Sequence, residues 1–157
     1  MSLDSDMAVL RRVALFGDLP SEPLRLLAFS AGRRELAPHQ VLFRAGDVAH
    51  SGFVVAEGAI QMSSGAKRKT LATCEAGTLI GELALLVETR RPATAASVGN
   101  SVVLEIDRTL IIRMLNEFPR VAVKWRATMS ERLMATVDEL GKVRKALGPV
   151  DRAKVRR

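Results

Sequence analysis

Short apolar runs recur roughly every eight to twelve residues between Arg33 and Ile106, and turn-forming residues separate them. Each run has the length of a strand, and the intervening glycines supply the backbone angles that tight turns require. This rhythm predicts a mainly β fold, an eight-stranded antiparallel jelly-roll barrel. The predicted strands are Arg33–Leu36, Val41–Arg44, Gly52–Glu57, Ala59–Ser63, Lys69–Cys74, Leu79–Ile80, Ala93–Val98 and Val102–Ile106.

Helical patterns flank this region. On its N-terminal side, apolar spacing predicts a helix over Met7–Phe16 and a second helix that Ser21 caps and Gly32 ends. On its C-terminal side, Asp107 is predicted to cap a further helix, which Pro119 interrupts. The fold class is therefore mainly β with flanking helices.

A long proline-free run follows from Val121 to about Leu147. Its apolar residues fall at alternating spacings of three and four, in a seam that Arg126 and Arg144 interrupt. We expect its first half to pack on the barrel. The second half is predicted to pair with a second copy of the chain, giving a homodimer, or with a partner protein.

These patterns divide the chain into an N-terminal helical segment (1–32), a β core of cupin-like double-stranded β-helix type (33–107), two C-terminal helices (108–147) and a basic tail (148–157). The last twenty residues carry seven Lys or Arg against three Asp or Glu, within a net charge of +7 for the whole chain. Such a tail is either a solvated terminus or a contact for nucleic acid or an acidic membrane surface.

Composition favours a cytoplasmic protein. With 157 residues, 48% of them hydrophobic, the chain can bury a core. No apolar run approaches the roughly 20 residues that a membrane span needs, and no secretory leader is visible. The single Cys74 cannot form an internal disulfide, which fits a reducing compartment.

The stretch from Thr78 to Val98 contains the residues best suited to bind a ligand. Gly81 ends an apolar strand, where a backbone without Cβ can turn sharply or approach a ligand closely. One helical turn over Glu82–Leu86 would direct free N–H groups at an anion. Arg90 and Arg91 follow, and arginine matches phosphate oxygens well. The stretch contains no catalytic base and predicts binding without an enzymatic reaction.

The sequence Gly-Glu-Leu-Ala-Leu-Leu from Gly81, with Arg-Pro-Ala-Thr from Arg91, resembles the phosphate-binding cassette of cyclic nucleotide-binding domains. Gly46-Asp47 and the segment 54–60 match the paired glycine turns of that family, and the resemblance covers roughly residues 13–133. It implies a regulatory domain that binds a cyclic nucleotide and signals by repositioning its C-terminal helices. The implied ligand-binding residues are Gly81, Glu82, Leu83, Ala84, Arg90, Arg91, Pro92, Ala93 and Thr94.

In that resemblance Glu82 accepts hydrogen bonds from the ribose 2′-hydroxyl and Arg91 neutralises the cyclic phosphate. Arg90 would replace Arg91 if the loop shifted by one residue, although the following Ala-Thr pair favours Arg91. Pro92 departs from the family pattern, because its position usually offers a backbone N–H and often a hydroxyl. The lost hydrogen bond would weaken binding about ten- to a hundredfold unless Thr94 or nearby N–H groups compensate. The missing hydroxyl favours cAMP over cGMP.

Two hypotheses of different classes follow. The first is a cyclic-nucleotide sensor, acting alone or as a fragment of a longer protein. The second is a degenerate domain that no longer binds nucleotide and serves as an interaction module or, through its basic tail, in nucleic-acid-associated regulation. The ten residues after Leu147 are too few for the helix-turn-helix domain that transcription factors of the family carry. His39, His50 and Cys74 have no zinc-site spacing, so no metal is predicted.

Overall fold

The computed structural model describes residues 2–65 and 69–128. The chain forms two compact units, 1–117 and 118–157. The first unit contains three helices, ten strands and one 3₁₀ turn among its described residues. In the second unit, residues 119–128 are helical. The rest of the long helix predicted up to Leu147, and the basic tail, lie outside the described residues.

The N-terminal helices are α1 (Leu3–Arg11) and α2 (Ser21–Ser30). Helix α1 begins earlier than the predicted Met7, because Ser2 and Ser5 form a reciprocal capping box at its start. The apolar residues after α1, including Phe16, are buried in successive turns rather than on a helix. Pro20, not Ser21, occupies the cap position of α2, and Gly32 begins a strand instead of ending this helix.

The strands are β1 (Gly32–Leu36), β2 (Val41–Phe43), β3 (Val48–Ala49), β4 (Ser51–Glu57), β5 (Ala59–Ser64), β6 (Lys69–Glu75), β7 (Leu79–Ile80), β8 (Thr89–Arg90), β9 (Thr94–Ser97) and β10 (Ser101–Asp107). All pairings among these described strands are antiparallel. One four-stranded sheet has the order β1-β10-β4-β7, and a second has the order β2-β9-β5-β6. Strands β3 and β8 form a separate pair.

The mainly β fold with flanking helices is confirmed, whereas no closed barrel is found among the described residues, and the eight-stranded, cupin-like barrel is not confirmed. The described strands number ten, and they form three sheets instead of one continuous barrel. The two additional strands are β3 and β8, and Thr89–Arg90 of β8 contains no apolar residue that would indicate a strand.

The core of the first unit lies between the two larger sheets. Its buried side chains come from both sheets and are Leu36, Leu42, Phe43, Phe53, Val55, Ile60, Ile80, Ala95 and Val103. Helix α3 (Arg108–Glu117) directly follows β10 and contacts α2 and the 3₁₀ turn over Glu82–Leu85. The predicted cassette therefore lies against a helix of the same unit.

Candidate functional site

The predicted turn after β7 is present. Gly81 has a left-handed backbone with φ of +80°, and Glu82–Leu85 form a single 3₁₀ turn after it. The N–H of Ala84 donates to the carbonyl of Gly81 at 3.1 Å, so this amide is already used within the turn. Ala84 and Leu85 are buried and anchor the turn, whereas Leu83 is 55% exposed.

The backbone of Arg91 is fixed by the turn at Gly46-Asp47. Its N–H donates to the carbonyl of Asp47 at 2.8 Å, and its own carbonyl accepts from the N–H of Gly46 at 2.8 Å. The carboxylate of Asp47 in turn accepts from the N–H of Arg44 at 2.9 Å, which closes the turn. The Gly46-Asp47 motif therefore fixes the backbone of Arg91 through these two hydrogen bonds.

The side chain of Arg91 points into the protein and is only 6% exposed. Its Nη2 donates to the carbonyl of Ser51 at 2.7 Å. Its Cζ lies 4.3 Å from the ring centroid of Phe43 and 5.4 Å from that of Phe53, both within cation–π range. A Cβ added at Gly81 would lie 2.4 Å from Arg91 Nη1. Glycine at position 81 therefore adopts its positive φ without strain and leaves room for the guanidinium beside it.

The electrostatics of Arg91 are those of a partly dehydrated cation. Burial lowers its pKa, and the carboxylates of Glu105 and Asp47 oppose that shift. Neither carboxylate forms an ion pair with Arg91 among the described residues. The Nη1 group is buried and has no hydrogen-bond partner in the part of the chain that the structure describes. A buried donor without a partner is costly, and an anion reaching this group would remove that cost.

The remaining predicted site residues differ in placement. Arg90 is exposed, and its Nη1 donates to the carbonyl of Gly46 at 2.9 Å. The guanidinium beside Gly81 is that of Arg91. Thr94 Oγ1 accepts from the N–H of Ala45 at 3.0 Å. Pro92 is exposed and Ala93 is buried. Glu82 is half-buried at the first position of the 3₁₀ turn, directly after Gly81.

Comparison with known proteins decides the family. A family model described as "Cyclic nucleotide-binding domain" matches residues 33–118, more than half of the chain. The chain belongs to this family. The "Cyclic AMP receptor protein" of Thermus thermophilus is 32% identical over 123 residues, which are 76% of this chain and 56% of that protein. The chain spans about half the length, or less, of the curated relatives it matches.

Solved structures are also similar to this chain. A cyclic nucleotide-binding-like protein from Brucella abortus is 34% identical with a TM-score of 0.66, and the match covers 72% of this chain and 99% of that one. The N-terminal domain of a transcriptional regulator from Streptomyces coelicolor is 30% identical with a TM-score of 0.76, and the match covers 84% and 94% respectively. The cassette resemblance and the fold thus lead to the same family.

Four residues around the arginine of this cyclic nucleotide-binding domain were not anticipated from its sequence: Phe43, Ser51, Phe53 and Glu105. They come from strands β2, β4 and β10, far from the cassette along the chain. Phe43 and Phe53 read as ordinary strand residues, and the Ser51 contact uses a backbone carbonyl. The only available signal was Glu105, a carboxylate inside the otherwise apolar run from Val102 to Ile106.

Two further properties of the described residues concern the kind of site present. No three His, Cys, Asp or Glu side chains within 2–65 and 69–128 come together as a metal site would require. Among the same residues, no helix combines the length and apolar character needed to cross a membrane.

Proposed function

We propose that this domain is a cyclic-nucleotide sensor that binds cAMP at the Gly81–Thr94 cassette. The observation that carries the proposal is the buried Nη1 of Arg91, which lacks a hydrogen-bond partner among the described residues and lies beside the left-handed Gly81. A cyclic phosphate oxygen supplies the missing acceptor, and its charge balances a cation that burial has partly dehydrated. Glu82, at the start of the adjacent turn, accepts from the ribose 2′-hydroxyl.

The preference for cAMP rests on two points. Pro92 has no hydroxyl and no N–H to offer a guanine nucleotide or the phosphate. The Thermus relative is named a cyclic AMP receptor protein. Leu83, Ala84, Ala93 and Thr94 shape the cassette around the phosphate, and Arg90 fixes the neighbouring loop through Gly46.

We infer that the domain regulates a partner rather than catalysing a reaction. The 3₁₀ turn contacts α3, so a ligand that reorders the turn changes that contact. Pro119 begins the helix that follows α3, and we propose that the change reaches the homodimer or partner protein through the C-terminal helices. A cytoplasmic location suits a chain with one cysteine. Such coupling between the ligand and α3 requires that the nucleotide bind one conformation of the 3₁₀ turn more tightly than another.

Thermal shift with cAMP tests the binding. We expect wild type to be stabilised and an Arg91→Met variant to show no stabilisation, because methionine can pack against Phe43 as an apolar side chain but has no donors. Arg25→Ala removes an exposed arginine of α2 and should leave the cAMP response unchanged. Absence of stabilisation in wild type would favour the degenerate interaction module. A tighter cGMP site by calorimetry would overturn the cAMP preference.

Hydrogen exchange tests the signal. Binding of cAMP should alter amide protection over residues 81–86 and over α3. If protection over α3 stays unchanged while the cassette becomes protected, the domain binds its ligand but does not transmit through this helix.

A further inference from the structure

Glu105, on β10, is connected to the proposed anion site through Ser51. Its Oε2 accepts a 2.7 Å hydrogen bond from Ser51 Oγ, and its Oε1 lies 3.8 Å from Nη1 of Arg34. Ser51 also presents the backbone carbonyl that receives Arg91 Nη2 at 2.7 Å. One residue of β4 therefore connects the carboxylate to the cassette arginine.

The sheet register explains why these groups meet. Strand β10 pairs with β4, with Asp107 opposite Ser51 and Glu105 opposite Phe53. Side chains at alternate positions share a face, so Glu105 is the diagonal neighbour of Ser51 on the face that carries Phe53. Ser51 is buried, whereas Glu105 is partly exposed. Ser51 is the first residue of β4, where strand pairing alone restrains the backbone least.

We propose that Glu105 is a positioning residue for the cyclic-nucleotide site, acting through Ser51 to hold the Arg91 guanidinium against Gly81. This inference rests on the proposed function. The hydrogen bond to Ser51 fixes the end of β4, and with it the carbonyl that restrains Nη2. With Nη2 restrained, Nη1 stays beside the glycine turn, where the phosphate is bound.

The charge of Glu105 has a separate effect that opposes binding. A carboxylate close enough to influence Arg91 also repels an incoming phosphate. Glutamine at this position keeps an oxygen that accepts from Ser51 but removes the charge, and alanine removes both. The comparison of Glu105→Gln with Glu105→Ala therefore isolates the hydrogen bond, because the two variants have the same charge.

Calorimetry with cAMP on the full chain measures this difference. We expect Glu105→Ala to bind about tenfold more weakly than Glu105→Gln, as the loss of one hydrogen bond implies, and Glu105→Gln to bind at least as tightly as wild type. Ser51→Ala removes the same hydrogen bond and should bind cAMP about tenfold more weakly than wild type. Glu35→Ala, a charge removal on the exposed part of β1, is the matched control and should leave the affinity unchanged. Equal affinities for the alanine and glutamine variants of Glu105 would overturn the proposal.

A ligand-free measurement separates failure of this inference from failure of the proposed function. The side-chain Nε–H of Arg91 can be followed by NMR, and its proton exchange should accelerate in Glu105→Ala and remain near wild type in Glu105→Gln. If wild type gives no binding heat with cAMP, the proposed function is wrong, and the NMR comparison still decides whether Glu105 positions Arg91. Identical exchange in both variants would reject the positioning role even if cAMP binds.

Discussion

The Arg91 guanidinium lies over the ring of Phe43, with 4.3 Å between Cζ and the ring centroid. The ring centroids of Phe43 and Phe53 are 5.9 Å apart, and both rings belong to the hydrophobic core of the first unit. The two rings and the guanidinium therefore form one cluster. The arginine that is proposed to bind the ligand is therefore also a core residue. Substitutions around it should change stability and ligand response together.

Phe43→Leu should lower the free energy of unfolding by about 1–3 kcal/mol, because it removes ring volume from the core and the cation–π contact. Urea denaturation measures the change. Phe29→Leu is the control, since Phe29 is 79% exposed and its substitution should cost no more than about 0.5 kcal/mol. Equal losses for the two variants would contradict the role given to Phe43.

Gly81→Ala should destabilise the domain by more than the φ angle alone explains. Its Cβ would lie 2.4 Å from Arg91 Nη1, which forces the guanidinium to move. Gly65→Ala has the same φ of +80°, with no atom of the described residues within 4 Å of the new Cβ, and it should cost only about 1–2 kcal/mol. We expect Gly81→Ala to exceed this control in denaturation and to lose the thermal shift with cAMP. A cAMP response equal to wild type would show that Arg91 need not sit beside Gly81.

Pro92→Ser should strengthen cAMP binding about tenfold, because it restores an N–H and a hydroxyl next to Arg91. The variant should strengthen cGMP binding by a larger factor, so the affinities for cAMP and cGMP should become more similar. Calorimetry with both ligands measures the effect. Pro38→Ser, in another exposed turn, is the control for losing a proline. An unchanged affinity after Pro92→Ser would indicate that this position does not contact the phosphate.

The partly buried thiol of Cys74 should make the stability of the domain decrease at alkaline pH. Burial raises the pKa of its thiol, so folding favours the neutral form. The resulting stability is fully present below the thiol's unfolded pKa and is lost as pH rises through the folded one. The stability of wild type relative to Cys74→Ala should therefore decline at alkaline pH. The decline should be small because the side chain is only partly buried. Denaturation of both proteins at neutral and alkaline pH measures it.

Much of the β fold could be predicted from the sequence because strand length and turn chemistry are local properties. The bounds of β4, β5, β6 and β10 fall within a residue of those expected, and β7 spans Leu79–Ile80 as predicted. The pair β3 and β8 was missed because Thr89–Arg90 contains no apolar residue, so the sequence indicated no strand partner for Val48–Ala49. The division into separate sheets depends on pairing across the chain, which no local pattern encodes.

The site shows the same division between local and distant information. The glycine turn and the adjacent arginine follow from local spacing, and the structure places Gly81 against Arg91. The ligand roles of Glu82 and Arg91 remain predictions. The groups that contact the Arg91 side chain were not predictable, because Phe43 and the carbonyl of Ser51 come from strands distant along the chain. The same holds for Glu105, which reaches Ser51 only through the pairing of β10 with β4.

The burial of Arg91 also bears on the salt concentrations at which the domain can work. Mobile ions weaken attraction between exposed charges over a Debye length of about 8 Å at physiological ionic strength, but they screen a buried charge much less. An anion that pairs with Arg91 inside the protein meets a cation that salt hardly reaches. Its affinity should therefore vary little between dilute buffer and concentrated salt, unlike that of an anion held by surface lysines.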